Sequence, residues 1–134
     1  METDHIVVAC GGGGIPVYRT RILKRLKGID AVIDKDFAAE KLAELVKADI
    51  FVSVTAVPNA YIDFGTPEAR PLEKISAKEA EEYISKNYFR AGSMLPKMEA
   101  AVTFAKRGGT GIITDITNLS KALGGKAGTI VERN

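Results

Sequence analysis

Cysteine and histidine are almost absent from this chain of 134 residues, which has one of each. A lone cysteine cannot close an internal disulfide, so a reducing cytoplasm is the expected compartment. One cysteine and one histidine cannot supply four zinc ligands, and no His/Asp cluster replaces them, so no metal site built from protein ligands is expected. Long apolar runs are also missing. The longest, Ile6–Cys10 and Ile50–Val52, have core-strand length and fall far short of the roughly 18 residues of a membrane span. The opening Met1-Glu2-Thr3-Asp4-His5 is acidic and polar, unlike a secretory or transit peptide. Net charge is small: 19 Lys and Arg against 17 Asp and Glu leave +2, too balanced to argue for a nucleic-acid partner.

The composition is otherwise that of a folded domain. With 46% apolar and 27% charged residues, a disordered, collagen-like or coiled-coil chain is excluded. Residues 1–134 are expected to form a single domain, since no linker, repeat or low-complexity tract divides them. One local charge excess stands out: Arg19, Arg21, Lys24, Arg25 and Lys27 have no acid among them. They read either as a solvated basic loop or short hairpin, or as a wall that attracts a phosphate-bearing ligand. Only Tyr18 interleaves with them, which argues against base stacking.

Along the chain, Ile6–Cys10 reads as a strand buried on both faces, ended by Gly11-Gly12-Gly13-Gly14. Ala31-Val32-Ile33 is a second short strand. A helix follows, with Ala38, Leu42, Leu45 and Val46 on one stripe and Asp34 or Asp36 as its cap. Residues 49–55 read as a buried strand. The proline-rich connection 56–71 holds a short edge strand at Tyr61–Phe64. Ser76 and Glu79 have capping-box spacing and open a helix to about Asn87; Ser93 caps the next, with Pro96 in its first turn. Strand 111–114, helix 119–123 and strand 128–131 complete the order. Strands alternating with amphipathic helices predict an α/β fold with a mainly parallel sheet flanked by helices.

The glycine loops match neither standard phosphate-binding pattern. A dinucleotide fingerprint starting at Gly11 or Gly12 fails at Pro16 or Val17. A P-loop ending at Gly125-Lys126 fails at Ser120 and Ala127. Two lysines do sit at helix N-termini, Lys35 and Lys97, where unpaired N–H groups and the macrodipole already favour an anion. Such a pair suits phosphoryl transfer, with Asp34 holding both ammonium groups. The alternative is that both lysines face solvent and Asp34 is only a cap. Cys10 reads as a core cysteine, since the lone His5 lies five residues back on the same strand and no other base is evident.

Three multi-residue motifs then stand in register: Cys10-Gly11-Gly12-Gly13-Gly14-Ile15-Pro16-Val17, Ala31-Val32-Ile33-Asp34-Lys35-Asp36-Phe37-Ala38, and Gly92-Ser93-Met94 with Pro96-Lys97-Met98-Glu99-Ala100-Ala101. Together with Tyr61-Ile62-Asp63-Phe64-Gly65 and Gly128-Thr129, they resemble the carbamate kinase family of amino acid kinases, specifically its C-terminal, nucleotide-binding half. The resemblance implies an α/β/α sandwich and the reaction ATP plus carbamate to ADP plus carbamoyl phosphate, in arginine metabolism. It implies that Asp34 organises Lys35 and Lys97, and that both lysines contact phosphates. Thr55, Tyr61, Ser93 and Met94 would line the adenosine site, with Gly11, Gly12, Gly13 and Gly14 near the reacting centre. Magnesium would be held mainly through the nucleotide phosphates. Leu95 stands where the family usually has glycine, and its side chain is expected to narrow the phosphate approach or alter the backbone. Pro58 stands where an aspartate is usual.

Two functions follow as expectations: a carbamate kinase-like phosphotransferase segment, or a non-catalytic nucleotide-binding or interaction module without the substrate half. A uridylate or acetylglutamate type of amino acid kinase is a weaker third. Half a sheet would expose a strand edge, so a homo-oligomer or a complementary N-terminal half is the expected partner.

Overall fold

The computed structural model describes residues 6–9 and 11–133. Neither of the first two apolar runs becomes a strand. Ile6, Val7 and Val8 are exposed and lie outside any regular element, and so does Val32. A strand that is apolar on both faces needs neighbours to complete its ladder and cover both sides. Among the described residues nothing pairs with either run. Cys10 and His5 lie outside the described residues, and so does the reading of Cys10 as a core cysteine. Between the two runs the basic stretch forms an exposed antiparallel hairpin of β1 (Val17–Arg19) and β2 (Leu26–Gly28), with Tyr18 opposite Lys27.

From residue 34 onward the elements follow the predicted order. They are α1 (Lys35–Leu45), β3 (Ile50–Thr55), β4 (Tyr61–Ile62), β5 (Arg70–Pro71), β6 (Lys74–Ser76), α2 (Ala77–Ser85), α3 (Met94–Lys106), β7 (Thr110–Asp115), α4 (Leu119–Leu123) and β8 (Thr129–Glu132). The main sheet has the order β3-β7-β8-β6. β3 runs parallel to β7 and β6 parallel to β8, while β7 and β8 are antiparallel, so the sheet is mixed with parallel pairs at both sides. The short strand β6 escaped the sequence reading because its three residues directly precede the capping box of α2. In that box Ser76 Oγ accepts from Glu79 N–H at 3.1 Å, and the Glu79 carboxylate accepts from Ser76 N–H at 2.8 Å. The Ser76 N–H, and after it the Ser76 hydroxyl that donates to the same oxygen at 2.8 Å, hold the Glu79 carboxyl below its ordinary value.

α3 is the central element of the helical layer, packed on β3, β7, β8, α1 and α2. Met98, Ala101, Val102 and Ala105 meet Ile75, Ala80, Ile113 and Val131 in the larger core cluster. A smaller cluster joins Ala100 and Phe104 to Phe51, whose ring centroid is 5.7 Å from that of Phe104. Gly111 permits this close approach: a Cβ there would lie 2.7 Å from the Ala101 carbonyl oxygen.

α1 covers its predicted stripe only in part, with Ala38 and Leu42 half-buried. Asp36 and Glu40 are its buried residues, with Ala39 and Ala43 against the smaller cluster, while Leu45 and Val46 remain exposed. Two ion pairs to α3 set this rotation: Asp36 with Lys97, and Glu40 with Arg107 at 2.8 Å. The 3.6-residue period located the helix, but charge pairing chose the face.

Candidate functional site

The connectivity brings two helix starts to one edge. α1 leads by a short turn into β3 and α3 into β7, and those strands are parallel neighbours. A helix packed back along the strand it feeds begins at that strand's carboxyl end. Both N-termini therefore meet the edge where Thr55 stands opposite Asp115. The carboxyl edge is also where open α/β sheets take their ligands.

At this edge, Lys97 in the first turn of α3 reaches Asp36 in the first turn of α1. Its Nζ donates to both carboxylate oxygens, at 2.9 and 3.0 Å. The pair is largely buried, with side chains 14% and 11% exposed. Lys35 Nζ lies 3.7 Å from Asp36 and is mostly exposed. The expectation that Asp34 holds both lysines gives way to a division of labour between the two acids. Asp34 is the N-cap, its Oδ1 accepting from Asp36 N–H at 2.7 Å, and Asp36 gathers the ammonium groups. The cap must sit outside the first turn to reach back to N–H groups, whereas a residue two further on points sideways at the neighbouring helix. Asp36 is thus the charged residue that the sequence reading passed over, although it stood in the quoted Asp34-Lys35-Asp36 run.

The start of α3 is only partly open: the Leu95 N–H donates to the Arg90 carbonyl at 3.1 Å, and Pro96 has no N–H. Ser93 occupies the N-cap position but makes no side-chain cap; its hydroxyl turns to the Arg90 carbonyl at 3.5 Å. Gly92 before it adopts φ +73°, a turn that favours glycine. An uncapped helix start beside an ammonium group is suited to an anion. Leu95 is half-buried. It lies within α3, and its side chain packs against the larger core cluster.

Beside the α3 start is a mostly apolar cavity of about 270 Å³. Thr55, Tyr61, Ser93 and Met94, all four residues expected around an adenosine, line it together. The wall also includes Phe64, Tyr88, Phe89 and Arg90, which the sequence reading did not select. The aromatic-basic triplet just before Gly92 was the available signal. Tyr61 and Phe64 stand with ring centroids 5.7 Å apart on the β4–β5 excursion. Pro58 is absent from this wall and lines a neighbouring cleft with Asn59 and Gly128. A larger cleft of about 510 Å³, bounded by Glu44, Lys47, Asp49 and Arg107, opens at the opposite end of β3. There Arg107 is already paired with Glu40 and Glu44.

The glycine loop is exposed apart from half-buried Gly13. Gly13 has φ +78° and presses so closely on Ile33 that a Cβ would overlap the Ile33 carbonyl oxygen. This contact leads the loop to the start of α1, next to Asp34 and Lys35, whereas Gly11, Gly12 and Gly14 face open space. At the far side of the edge, Asp115 accepts from the Thr117 hydroxyl at 2.8 Å and from Asn118 N–H at 2.7 Å. Those bonds, the Thr117 hydroxyl first, hold its carboxyl below the ordinary value. No group of three or more metal-ligating side chains occurs among the described residues, and no helix there is long and apolar enough to cross a membrane.

Comparison with known proteins places this geometry in context. The sequence profile of the Amino acid kinase family matches residues 1–115. The chain is 45% identical over 134 residues to a carbamate kinase of Oenococcus oeni, covering 99% of this chain and 42% of that protein. It is 48% identical over 132 residues to a carbamate kinase of Thermoplasma volcanium, covering 98% and 43% respectively. Among solved structures, the carbamate kinase from Giardia lamblia bound to AMP-PNP superposes with a TM-score of 0.84 at 40% identity. That superposition covers 92% of this chain and 43% of the other. The chain therefore spans about two fifths of the length of the curated relatives it matches.

Proposed function

The chain belongs to the amino acid kinase family, and from that premise we propose that it supplies the nucleotide side of a carbamate kinase-type phosphoryl-transfer site. The observation that carries this reading is the junction of the aromatic cavity with the partly open start of α3 and the Lys97–Asp36 pair. In this reading Tyr61, Met94 and Thr55 hold the adenosine of ATP or ADP, and the Met94 N–H at the α3 start faces its phosphates beside Lys97. Lys97 and Lys35 stabilise the charge that spreads over the transferring phosphoryl oxygens, and Asp36 keeps Lys97 oriented. In the ATP-forming direction an oxygen of the ADP β-phosphate attacks phosphorus, the bond from phosphorus to the carbamoyl oxygen breaks, and carbamate departs. Asp36 is engaged by Lys97 through both oxygens, which fits magnesium held mainly by the phosphates. Gly13 anchors the glycine loop beside Lys35, where carbamate or carbamoyl phosphate would approach.

A second reading is a nucleotide-binding module without catalysis of its own. The glycine loop, exposed apart from half-buried Gly13, favours it. A partner that covers the exposed apolar residues around Ile6–Val8 and Val32, either a second copy or a complementary half, would complete the site. The test is ATP formation from carbamoyl phosphate and magnesium-ADP by the purified chain, with Lys97→Ala as control. ATP made by the wild type alone supports the kinase reading. Saturable ADP binding without ATP supports the binding module, and neither activity nor binding refutes both.

A further inference from the structure

The cavity wall that carries Tyr61 and Phe64 is poorly anchored by its own hydrogen bonds. β4 and β5 pair over only two residues each, Tyr61 with Pro71 and Ile62 with Arg70. Pro71 has no N–H to offer the ladder, and two-stranded ribbons this short are not stable alone. The segment 63–69 adds only local turns of its own, from Asp63 to Thr66 and from Thr66 to Ala69.

What closes the base of this excursion is a hydroxyl from a distant strand. Thr129 Oγ1, fully buried in β8, accepts from Ala60 N–H at 2.8 Å and donates to the Leu72 carbonyl at 2.5 Å. Ala60 and Leu72 are the residues that flank the hairpin, and they bond each other directly, Leu72 N–H to Ala60 C=O at 2.8 Å. Asn59 Nδ2 adds a second donor to the Leu72 carbonyl at 2.9 Å. Thr129 is itself held in register against Ile113 of β7. The clamp thus ties both ends of the hairpin to the rigid sheet, and a carbon side chain of the same shape would leave the Ala60 N–H buried without its acceptor.

We propose that Thr129 is a positioning residue for the ligand cavity: its hydroxyl holds the aromatic hairpin in the conformation that accepts the nucleoside. The proposal rests on the nucleotide reading above for the identity of the ligand, but the clamp can be read without any ligand. When the hairpin opens, the cavity loses Tyr61 and Phe64 from one wall, and apparent affinity falls with the closed fraction.

The experiment combines amide hydrogen exchange with ADP titration on the 134-residue chain, using Thr129→Val, which keeps the shape, and Thr129→Ser, which keeps the hydroxyl. In Thr129→Val the Leu72 amide is expected to exchange about tenfold faster and ADP to bind up to about tenfold more weakly. Exchange in β7 should stay unchanged. Thr129→Ser should restore both readouts, a rescue that a merely space-filling role for threonine would not produce. Unchanged Leu72 exchange in Thr129→Val, or failure of Thr129→Ser to restore it, overturns the proposal. If the wild type takes no ADP while Leu72 exchange still accelerates in Thr129→Val, the nucleotide reading fails and the clamp stands. Should Thr129→Val not fold, Thr129→Ala, which also removes the hydroxyl, carries the same test: it should speed the Leu72 amide, and no change there overturns the proposal.

Discussion

Replacing Asp36 by asparagine tests the electrostatic heart of the site. The substitution keeps the shape of the side chain but removes a carboxylate that takes two hydrogen bonds from Lys97 and is 11% exposed. Hydrogen bonds to a charged group contribute about 1.5–3 kcal/mol net. An acid in the first turn of a helix adds about 0.3–1 kcal/mol through the macrodipole. Because neither partner is fully buried, the larger penalties for breaking interior ion pairs do not apply in full. Asp36→Asn should therefore cost about 2–3 kcal/mol in a urea unfolding curve followed by circular dichroism. The decisive quantity is the coupling in a double-mutant cycle with Lys97→Met, expected at about 1.5–3 kcal/mol. Asp34→Asn serves as the contrast. Asparagine caps helices as well as aspartate, so that variant should change stability little and show no coupling to Lys97. A coupling below about 0.5 kcal/mol for Asp36 with Lys97, or a larger one for Asp34, would refute the assignment of Asp36 as the residue that holds the lysine.

Other perturbations follow from the packing and capping of the same elements. Gly111→Ala would place a methyl 2.7–2.9 Å from three atoms of Ala101. Overpacking of this kind costs about 1–3 kcal/mol, so the thermal midpoint should fall, and an unchanged midpoint would mean that α3 is not seated on β7 as described. Ser76→Ala removes the acceptor of the capping box and should destabilise the chain by about 1 kcal/mol, read in the same urea curve. Acid should weaken the fold through Glu79 and Asp115. Both carboxyls sit below their ordinary values of 4.5 and 3.8 in the folded chain. Their contribution is therefore present above those values and lost as pH falls through the lowered ones. A Glu79→Gln chain should show a shallower loss of stability on acidification below about pH 4.5, and an identical acid profile would refute the assignment.

Much of the architecture was legible in the linear pattern because the signals were local. The capping box at Ser76 and Glu79, the β-branched runs of β3 and β7, the glycine stops at 108–109 and 124–125 and the proline-rich connection each act within a few residues of themselves. They placed β3, α2, α3, β7, α4 and β8 within two residues of their observed bounds, while the short strands β5 and β6 were missed. The motifs around Lys35, Lys97, Tyr61 and Ser93 likewise named residues that do gather at one edge of the sheet.

What tertiary structure alone decided depends on partners distant in the chain. Asp34 and Asp36 are equivalent to a reader of spacing. Only the arrival of Lys97, 61 residues later, assigns the cap to one and the ion pair to the other. With Arg107 on Glu40, the charged face of α1 is the one turned to α3, so that Ala38 and Leu42 of the predicted stripe are only half-buried and Leu45 and Val46 are exposed. The runs at Ile6–Ala9 and Ala31–Ile33 have strand composition but make no strand among the described residues, because a buried strand is made by the neighbours that pair with it. Thr129 entered the family motifs with Gly128, but no local signal assigned its role: only the fold brings Ala60 and Leu72 to its hydroxyl. Local chemistry thus determined where the helices and the longer strands after residue 34 begin and end. Contacts between residues far apart in sequence determined which face each element buries and which side chains meet.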